Sequence, residues 1–545
     1  MKRILPIILM MALTFPVLTS CDDFLDADTG RLVESEQYDL KASADSLFSM
    51  FGLLTQMQKL ADSYVLLGEL RADLLDITDA SDQSLHEINN HSISAGNPYA
   101  DERNYYAVIN NCNYILARLD TNLIDRGQRV QYRQYAAVQA IRAWTYLQMV
   151  LNFKTVKYYE KPILTVKDAA GPFDEIELPE LANRLITILE PLKEIPYPTL
   201  GFVDSYNVNF SLFPVKFVLG DLYLWTNQYE QAATAYRSLM FDRRIIIDKA
   251  NNSYWIPVNN TISPNAFLYW IRSFNFSSGE IISSILCPTE YGQSFQLDSL
   301  NNQHRFQPTA TALNNWAKQV YYLNEASNAN GDLRRFGSLS YSAETNRNAT
   351  TDYNFSGNKS SRPLIYKYKL YNQRVVVYRS ALLYLRYAEA VNRLHKPNLA
   401  FAVLRSGLNS STMFDEKVVP ARERSNPLPE YMQFTDIRFQ NNAGIRMRGL
   451  GNTDRDTTFY RIPALAGIMD SVRFVENLIQ EELALETAFE GNRFHDLMRL
   501  TLRRMNDAGY ASDESYLADK VAAKYPDPAA ARQRLMNRES WYIRK

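Results

Sequence analysis

At 545 residues, 46% of them hydrophobic and 22% charged, the chain is long enough to bury a large core. Its 59 Lys and Arg against 60 Asp and Glu leave a formal charge of -1, which offers no electrostatic footprint for nucleic acid or another polyanion. The three cysteines, Cys21, Cys112 and Cys287, have neither Cys-x-x-Cys spacing nor a disulfide framework, so Cys112 and Cys287 read as buried thiols or an incidental pair.

The chain opens on a targeting segment. Lys2 and Arg3 form a basic start, and an almost wholly apolar run follows from Ile4 to Leu18. A spanning helix needs roughly 20 apolar residues, and Pro6 and Pro16 interrupt this run, so it has the length and flank of a signal-peptide core. Leu18-Thr19-Ser20-Cys21 then matches a bacterial lipobox, in which the cysteine is acylated and becomes the new N-terminus. Residues 1–20 are therefore expected to be removed, and loss of Lys2 and Arg3 takes the formal charge from -1 to -3. Three acyl chains on Cys21 would give lasting attachment, since each buried methylene adds about 0.8 kcal/mol and one chain alone is marginal. Residues 21–35, with Asp22, Asp23 and Asp26, read as a lipidated acidic tether, and residues 36–545 as one domain.

The first half of that domain is predicted to be helical. Apolar residues recur at helical spacing over 40–59 (Leu47, Phe48, Phe51, Leu54) and 105–119 (Tyr106, Ile109, Ile115, Leu116). A long amphipathic helix is expected over 131–153 through Ala137, Ile141, Trp144, Leu147 and Val150. Another follows over 179–193, with Pro179 suited to its first turn. Residues 214–227 and 229–243 carry Gly220, Tyr223, Ala232, Ala233 and Tyr236, a pattern like a tetratricopeptide hairpin, in which small residues let one helix pack closely on the next. Residues 379–394 and 398–407 suit a second such hairpin.

Between and after the hairpins, residues 244–375 and 408–470 turn rich in Asn, Ser, Tyr and Phe, with β-like runs at 280–286 and 364–370. Long irregular stretches inside a large domain are uncommon unless they serve a function, so these read as binding loops on a helical scaffold. The fold expected is mainly α: tetratricopeptide-like helical hairpins form the scaffold, and irregular loops with short β-hairpins carry the ligand face. A strong helix is predicted over 471–490, broken by Gly491 and leading into Asn492-Arg493-Phe494-His495-Asp496-Leu497-Met498-Arg499, where Glu490, Arg493, Asp496 and Arg499 are expected to pair.

Gln480-Glu481-Glu482-Leu483-Ala484-Leu485-Glu486-Thr487-Ala488-Phe489 followed by Glu490-Gly491-Asn492-Arg493-Phe494-His495-Asp496-Leu497 resembles the C-terminal signature of the SusD/RagB family, surface nutrient-binding lipoproteins of Bacteroidetes. Other parts agree in order over nearly the whole chain: the lipobox with Cys21, the run from Tyr106 to Asn113, Arg142-Ala143-Trp144, Gly331-Asp332-Leu333-Arg334, Tyr378-Arg379 and Tyr387-Ala388-Glu389-Ala390. Two places depart from the family pattern. Glu102 stands where a tryptophan is frequent, and Lys154-Thr155-Val156-Lys157 replaces Gly-x-x-Pro.

The resemblance implies an outer-membrane protein, lipid-anchored and facing outside, that captures oligosaccharides or oligopeptides. It implies a hinged lid over a SusC-like TonB-dependent barrel transporter, with no chemistry and no cofactor of its own. The other class left open is a surface lipoprotein with enzymatic activity, such as a glycosidase subunit. No Gly-x-Ser-x-Gly elbow, His-Glu-x-x-His or phosphate-binding loop is present, and the five histidines lack metal-ligand spacing. Asp454 and Asp456 read as part of a solvated loop and His495 as a packing residue. For ligand contact, sugar rings need aromatic faces flanked by amides. Tyr99, in the loop before the Tyr106 helix, is one expected residue, and the resemblance adds Trp270, Tyr291, Gln293 and Trp316, which fall in the region where the family places binding aromatics.

Overall fold

The computed structural model describes residues 43–203, 206–248, 279–286, 295–322, 328–340, 363–370, 374–450, 460–507 and 513–544. The expected targeting segment and tether, with Cys21, and also Cys287, Asp454 and Asp456 lie outside them.

The helices of the first half form where apolar periodicity places them, with ends moved by a few residues. α1 (Ser43–Met57) and α2 (Ala61–Glu69) are joined by one 3-10 turn, Gln58–Leu60. β1 (Leu75–Ile77) leads to α3 (Gln83–Asn89), where Asp82 Oδ1 accepts Leu85 N–H at 3.1 Å. α4 (Glu102–Leu116) is capped alike by Asp101, which accepts Arg103 N–H at 2.9 Å. α5 (Val130–Phe153) corrects the amphipathic reading, because it is buried on nearly every side, Gln139, Arg142 and Asn152 included. Such a helix lies inside a fold rather than on its surface.

α5 stops at Lys154, held at φ 73 and ψ -51 with its N–H on Val150 O. This is the position where the related pattern has glycine, and the left-handed region costs an L-residue about 1–2 kcal/mol. Lys154→Gly is expected to raise stability by about 1 kcal/mol in denaturant titration, even though it removes the exposed 2.7 Å contact with Glu539.

α6 (Leu178–Leu189) carries Pro179 in its first turn as expected. α7 (Val215–Trp225) and α8 (Tyr229–Asp242) make the first hairpin. Gly220 sits beneath the Tyr236 ring, and a Cβ there would lie 2.3 Å from its Cε1. That close approach brings Tyr236 O–H to Asp221 Oδ1 at 2.6 Å.

The chain then leaves the helical stack. β2 (Ile281–Leu286), α9 (Gln296–Asn302), β3 (Phe306–Pro308) and α10 (Ala310–Ala317) precede its return along β4 (Arg374–Arg379). β4 pairs antiparallel with β2, and β3 pairs antiparallel with β1. The run at 364–370 is a strand only at Leu364–Ile365 and then a helical turn, Tyr366–Leu370. Lys367 and Tyr368 on this turn are both buried.

α11 (Ser380–Arg393) and α12 (Pro397–Arg405) form the second hairpin. α11 packs directly on α8, so α4, α5, α6, α7, α8, α11 and α12 stack in sequence, each on the next. The expected hairpins do form the scaffold, and α11 packs on α8 although residues 243–379 lie between them in sequence.

α13 (Ile468–Glu486), α14 (Arg493–Arg504), α15 (Tyr516–Ala522) and α16 (Pro528–Met536) close the chain. α13 ends four residues earlier than expected. Beyond it Phe489 takes φ 69 and Gly491 φ 91, and the Glu69 carboxylate accepts the N–H groups of Phe489 at 3.1 Å and Gly491 at 2.8 Å. Gly68 of α2 touches this turn, where a Cβ would meet Gly491 O at 1.9 Å. The principal core runs from Met50 to Ile543, and a smaller cluster joins Ala72 to Phe494, Leu497, Leu517, Val521, Leu535 and Trp541.

Candidate ligand-binding site

The charged residues of the C-terminal run are buried and committed to other elements. Arg379 uses all five of its N–H donors: on Glu490 at 2.7 and 3.0 Å, on Glu280 and Glu486 carboxylates at 2.8 Å each, and on Glu486 O at 2.7 Å. Arg448 grips Glu280 at 2.6 Å and Glu486 at 2.8 Å. Arg334 pairs with Asp332, Glu482 and Glu486. Burial pushes the Glu280 carboxyl up, but Arg448 and Arg379 together outweigh it and hold its pKa at about 2.

The mutual pairing expected within 490–499 is found only between Asp496 and Arg499, at 2.9 Å. Glu490 instead binds Lys367 and Arg379, and Arg493 forks onto Asp73 at 2.7 and 2.9 Å. Arg499 forks onto Glu389 at 2.9 and 2.7 Å. The cause is the break between helices: α13 ends at Glu486 and α14 starts at Arg493, so Glu490 lies in the turn between them and does not share a helix with Arg493, Asp496 and Arg499. Asn113 Oδ1 likewise accepts Arg142 Nη1 at 2.8 Å, tying α4 to α5. Each of these motif residues is thus part of the frame. Glu482, Glu486, Glu490 and Asp496 all face guanidinium or ammonium groups rather than open solvent.

His495 is buried as a packing residue, its ring edge-on to Phe494. Arg71 has only donors to offer it, so His495 Nε2 accepts at 3.3 Å and the ring is the neutral Nδ1–H tautomer. Burial first, then Arg71 and Arg386, hold it well below the ordinary histidine range. Cys112 is buried, and burial pushes its thiol up to about 12.

The expected ligand residues separate. Trp316 belongs to the core. It is fully buried on α10, donates Nε1–H to Leu485 O at 3.3 Å and lies 5.9 Å from the Phe489 ring, leaving no face for a ligand in this structure. Trp316→Ala is expected to cost about 3–5 kcal/mol in chemical denaturation, the range for emptying a large aromatic site.

Tyr99 lies on the 3-10 turn Pro98–Ala100, half-buried against the principal core. Burial, with the nearby charges of Asp62 and Asp82, pushes its phenol up to about 12, so it remains a neutral hydroxyl that both donates and accepts. Asp62 at the start of α2 accepts Gln296 N–H at 3.0 and 2.9 Å, capping α9. Burial raises the Asp62 carboxyl to about 6 against the pull of those N–H donors. One helical turn earlier, Gln58 Nε2 donates to Leu286 O at 2.8 Å.

Leu286 and Gln296 bracket the stretch that contains Tyr291 and Gln293. Those two residues lie outside the described structure, as does Trp270. Both described edges of that stretch are therefore fastened to Gln58 and Asp62, and Asp62 acts on Tyr99. This corner is the candidate site. A half-buried neutral phenol beside a carboxylate can stack on a pyranose face and hydrogen-bond its hydroxyls. Gln58 and Asp62 were missed in the sequence; their i, i+4 spacing was the available signal, but nothing local names Leu286 and Gln296 as their partners.

No curated protein matches the sequence. A SusD superfamily protein from Bacteroides vulgatus aligns over 90% of this chain and 92% of its own, at 15% identity and a TM-score of 0.58. A SusD-like carbohydrate binding protein from Bacteroides fragilis aligns over 85% of this chain and 87% of its own, at 14% identity and a TM-score of 0.54. At these identities the likeness is one of fold. A family model described as the SusD family matches residues 223–542, from the first hairpin to the C-terminal tail. The chain belongs to the SusD family.

Proposed function

We propose that this chain captures oligosaccharides at the cell surface and delivers them, as a lid, to a SusC-like TonB-dependent transporter. The observation that carries the reading is the Tyr99 corner, where Gln58 and Asp62 fasten both edges of the stretch bearing Tyr291 and Gln293. Tyr99, Tyr291, Gln293 and Trp270 are the proposed ligand contacts. Two solved structures of this fold, from Bacteroides vulgatus and Bacteroides fragilis, are described as SusD-like carbohydrate binding proteins, which favours saccharide over peptide. Acylated Cys21 supplies the anchor, with residues 22–35 as a tether long enough to let a lid move. Among the described residues no helix is long and apolar enough to cross a membrane, in keeping with attachment by lipid.

The full chain, purified in detergent and presented with a panel of oligosaccharides and oligopeptides, is expected to retain oligosaccharides saturably. Retention of peptides alone would overturn the ligand class. Affinity purification from the native outer membrane is expected to recover a TonB-dependent barrel in stoichiometric amount, and its absence would remove the lid role.

A further inference from the structure

A cavity of about 620 Å³ opens between residues 91–93 and the C-terminal residues 530–544. It is within the size range of small-molecule sites, roughly 300–1,000 Å³. Among the described residues its charged lining is Arg71, Arg534 and Arg544, with no Asp or Glu.

Arg71 is the unusual one. It is 1% exposed, yet its hydrogen bonds go to Leu67 O at 2.7 Å, Trp541 O at 3.0 Å, Asn152 Oδ1 and His495 Nε2, all neutral. Elsewhere in this fold buried guanidinium groups such as Arg334, Arg379 and Arg499 sit on carboxylates. A buried cation without a counter-ion carries a desolvation cost of several kcal/mol and leaves its field uncancelled. Burial pulls the Arg71 pKa down to about 9.

His91 on the rim senses the same field. Its Nε2–H donates to Arg71 O at 3.0 Å, and its Nδ1 is buried with no hydrogen-bond partner. Burial and then the charges of Arg71, Lys524 and Arg534 hold His91 well below the ordinary histidine range. Arg534 and Arg544 are exposed, and neither forms an ion pair among the described residues. Glu539, which feels the charge of Arg544, is already bound to Lys154 at 2.7 Å. Asn537 Oδ1 is taken by Glu539 N–H at 3.1 Å, which leaves its Nδ2 donors, and half-buried Tyr542 adds an aromatic surface.

We propose that this cleft binds a carboxylate-bearing sugar, a uronic-acid unit of an acidic oligosaccharide, with Arg534 and Arg544 on the carboxylate, Asn537 on a hydroxyl and Tyr542 against the ring. The uncompensated Arg71 beneath makes the site electropositive before any ligand arrives, so an anion is favoured over a neutral sugar of the same size. The site uses none of the residues proposed for the Tyr99 corner, and the two fail independently.

Calorimetric titration of the full chain in detergent with digalacturonate and with neutral digalactose tests it. Digalacturonate is expected to bind at least ten-fold more tightly than digalactose. The double variant R534Q/R544Q is expected to lose at least ten-fold of that affinity with an unchanged unfolding temperature, since both side chains are exposed. Equal affinity for the two disaccharides, no binding of digalacturonate, or unchanged affinity in R534Q/R544Q would each overturn the proposal. Competition by inorganic sulfate as strong as that by digalacturonate would reduce the cleft to a charge trap and overturn its assignment to sugar.

Discussion

Arg379→Met is expected to lower the stability of the fold by about 3–5 kcal/mol, the range for removing one member of a buried ion cluster. The size follows from what the substitution strands. Glu280, Glu486 and Glu490 are each at most 5% exposed, and all three give carboxylate oxygens to this one guanidinium. Methionine fills the volume but returns none of the five hydrogen bonds, so three buried carboxylates must share Arg448, Lys367 and Arg334. The exposed Arg184–Glu180 pair on α6 is the control: Arg184→Met there is expected to cost less than about 1 kcal/mol. Urea titrations of both variants measure the contrast, and a loss below about 1 kcal/mol for Arg379→Met would show that the cluster is not a stabilising frame.

The same cluster sets an acid limit. The Glu280 pKa is held at about 2 in the fold against an ordinary 4.5, so its contribution to stability is present above pH 4.5 and disappears as the pH falls through about 2. Arg379→Met removes one of the two cations responsible, which should move the onset of acid unfolding to higher pH.

Tyr99→Ala combined with Tyr291→Ala is expected to weaken oligosaccharide binding by about 30-fold or more, because losing central aromatic anchors costs about 2 kcal/mol or more. Tyr99 contributes packing as well as ligand contact, so affinity and unfolding are to be measured separately on the same preparations. Trp316→Ala gives the opposite signature: a large loss of stability with oligosaccharide affinity retained at temperatures where the variant is folded. If the tyrosine pair binds as tightly as the parent chain, the Tyr99 corner is not the site.

Much of the scaffold was legible in the sequence because it rests on local signals. Apolar spacing placed the helices, Pro179 and Gly491 marked a start and a break, and Gly220 with Tyr236 marked a close-packed hairpin. Signals that depend on distant partners misled or were silent. The charges of 490–499 invite pairing with each other at helical spacing, yet Glu490 and Arg493 are drawn to Arg379 and Asp73, more than a hundred residues away. The alternation in 364–370 imitates a strand, yet Tyr366–Leu370 is a helical turn whose buried Lys367 pairs with the distant Glu490. Trp316 is expected among the ligand contacts because it lies in an irregular stretch where the resembling family places binding aromatics; only the position of Phe489 and Leu485 shows it to be core. The site was less legible still. Aromatic residues could be nominated, but the hydrogen bonds from Gln58 to Leu286 and from Gln296 to Asp62, close to Tyr99, join residues that the sequence keeps apart.

The most direct test of the central claim, that this SusD-family chain binds oligosaccharide and does no chemistry on it, is equilibrium dialysis followed by mass analysis of the ligand. The full chain in detergent is held with its best-retained oligosaccharide until binding is saturated, and the sugar is then recovered. The account predicts saturable binding with the oligosaccharide recovered intact, and Tyr99→Ala/Tyr291→Ala losing the binding. Shortened products, or binding indifferent to those two tyrosines, would contradict it.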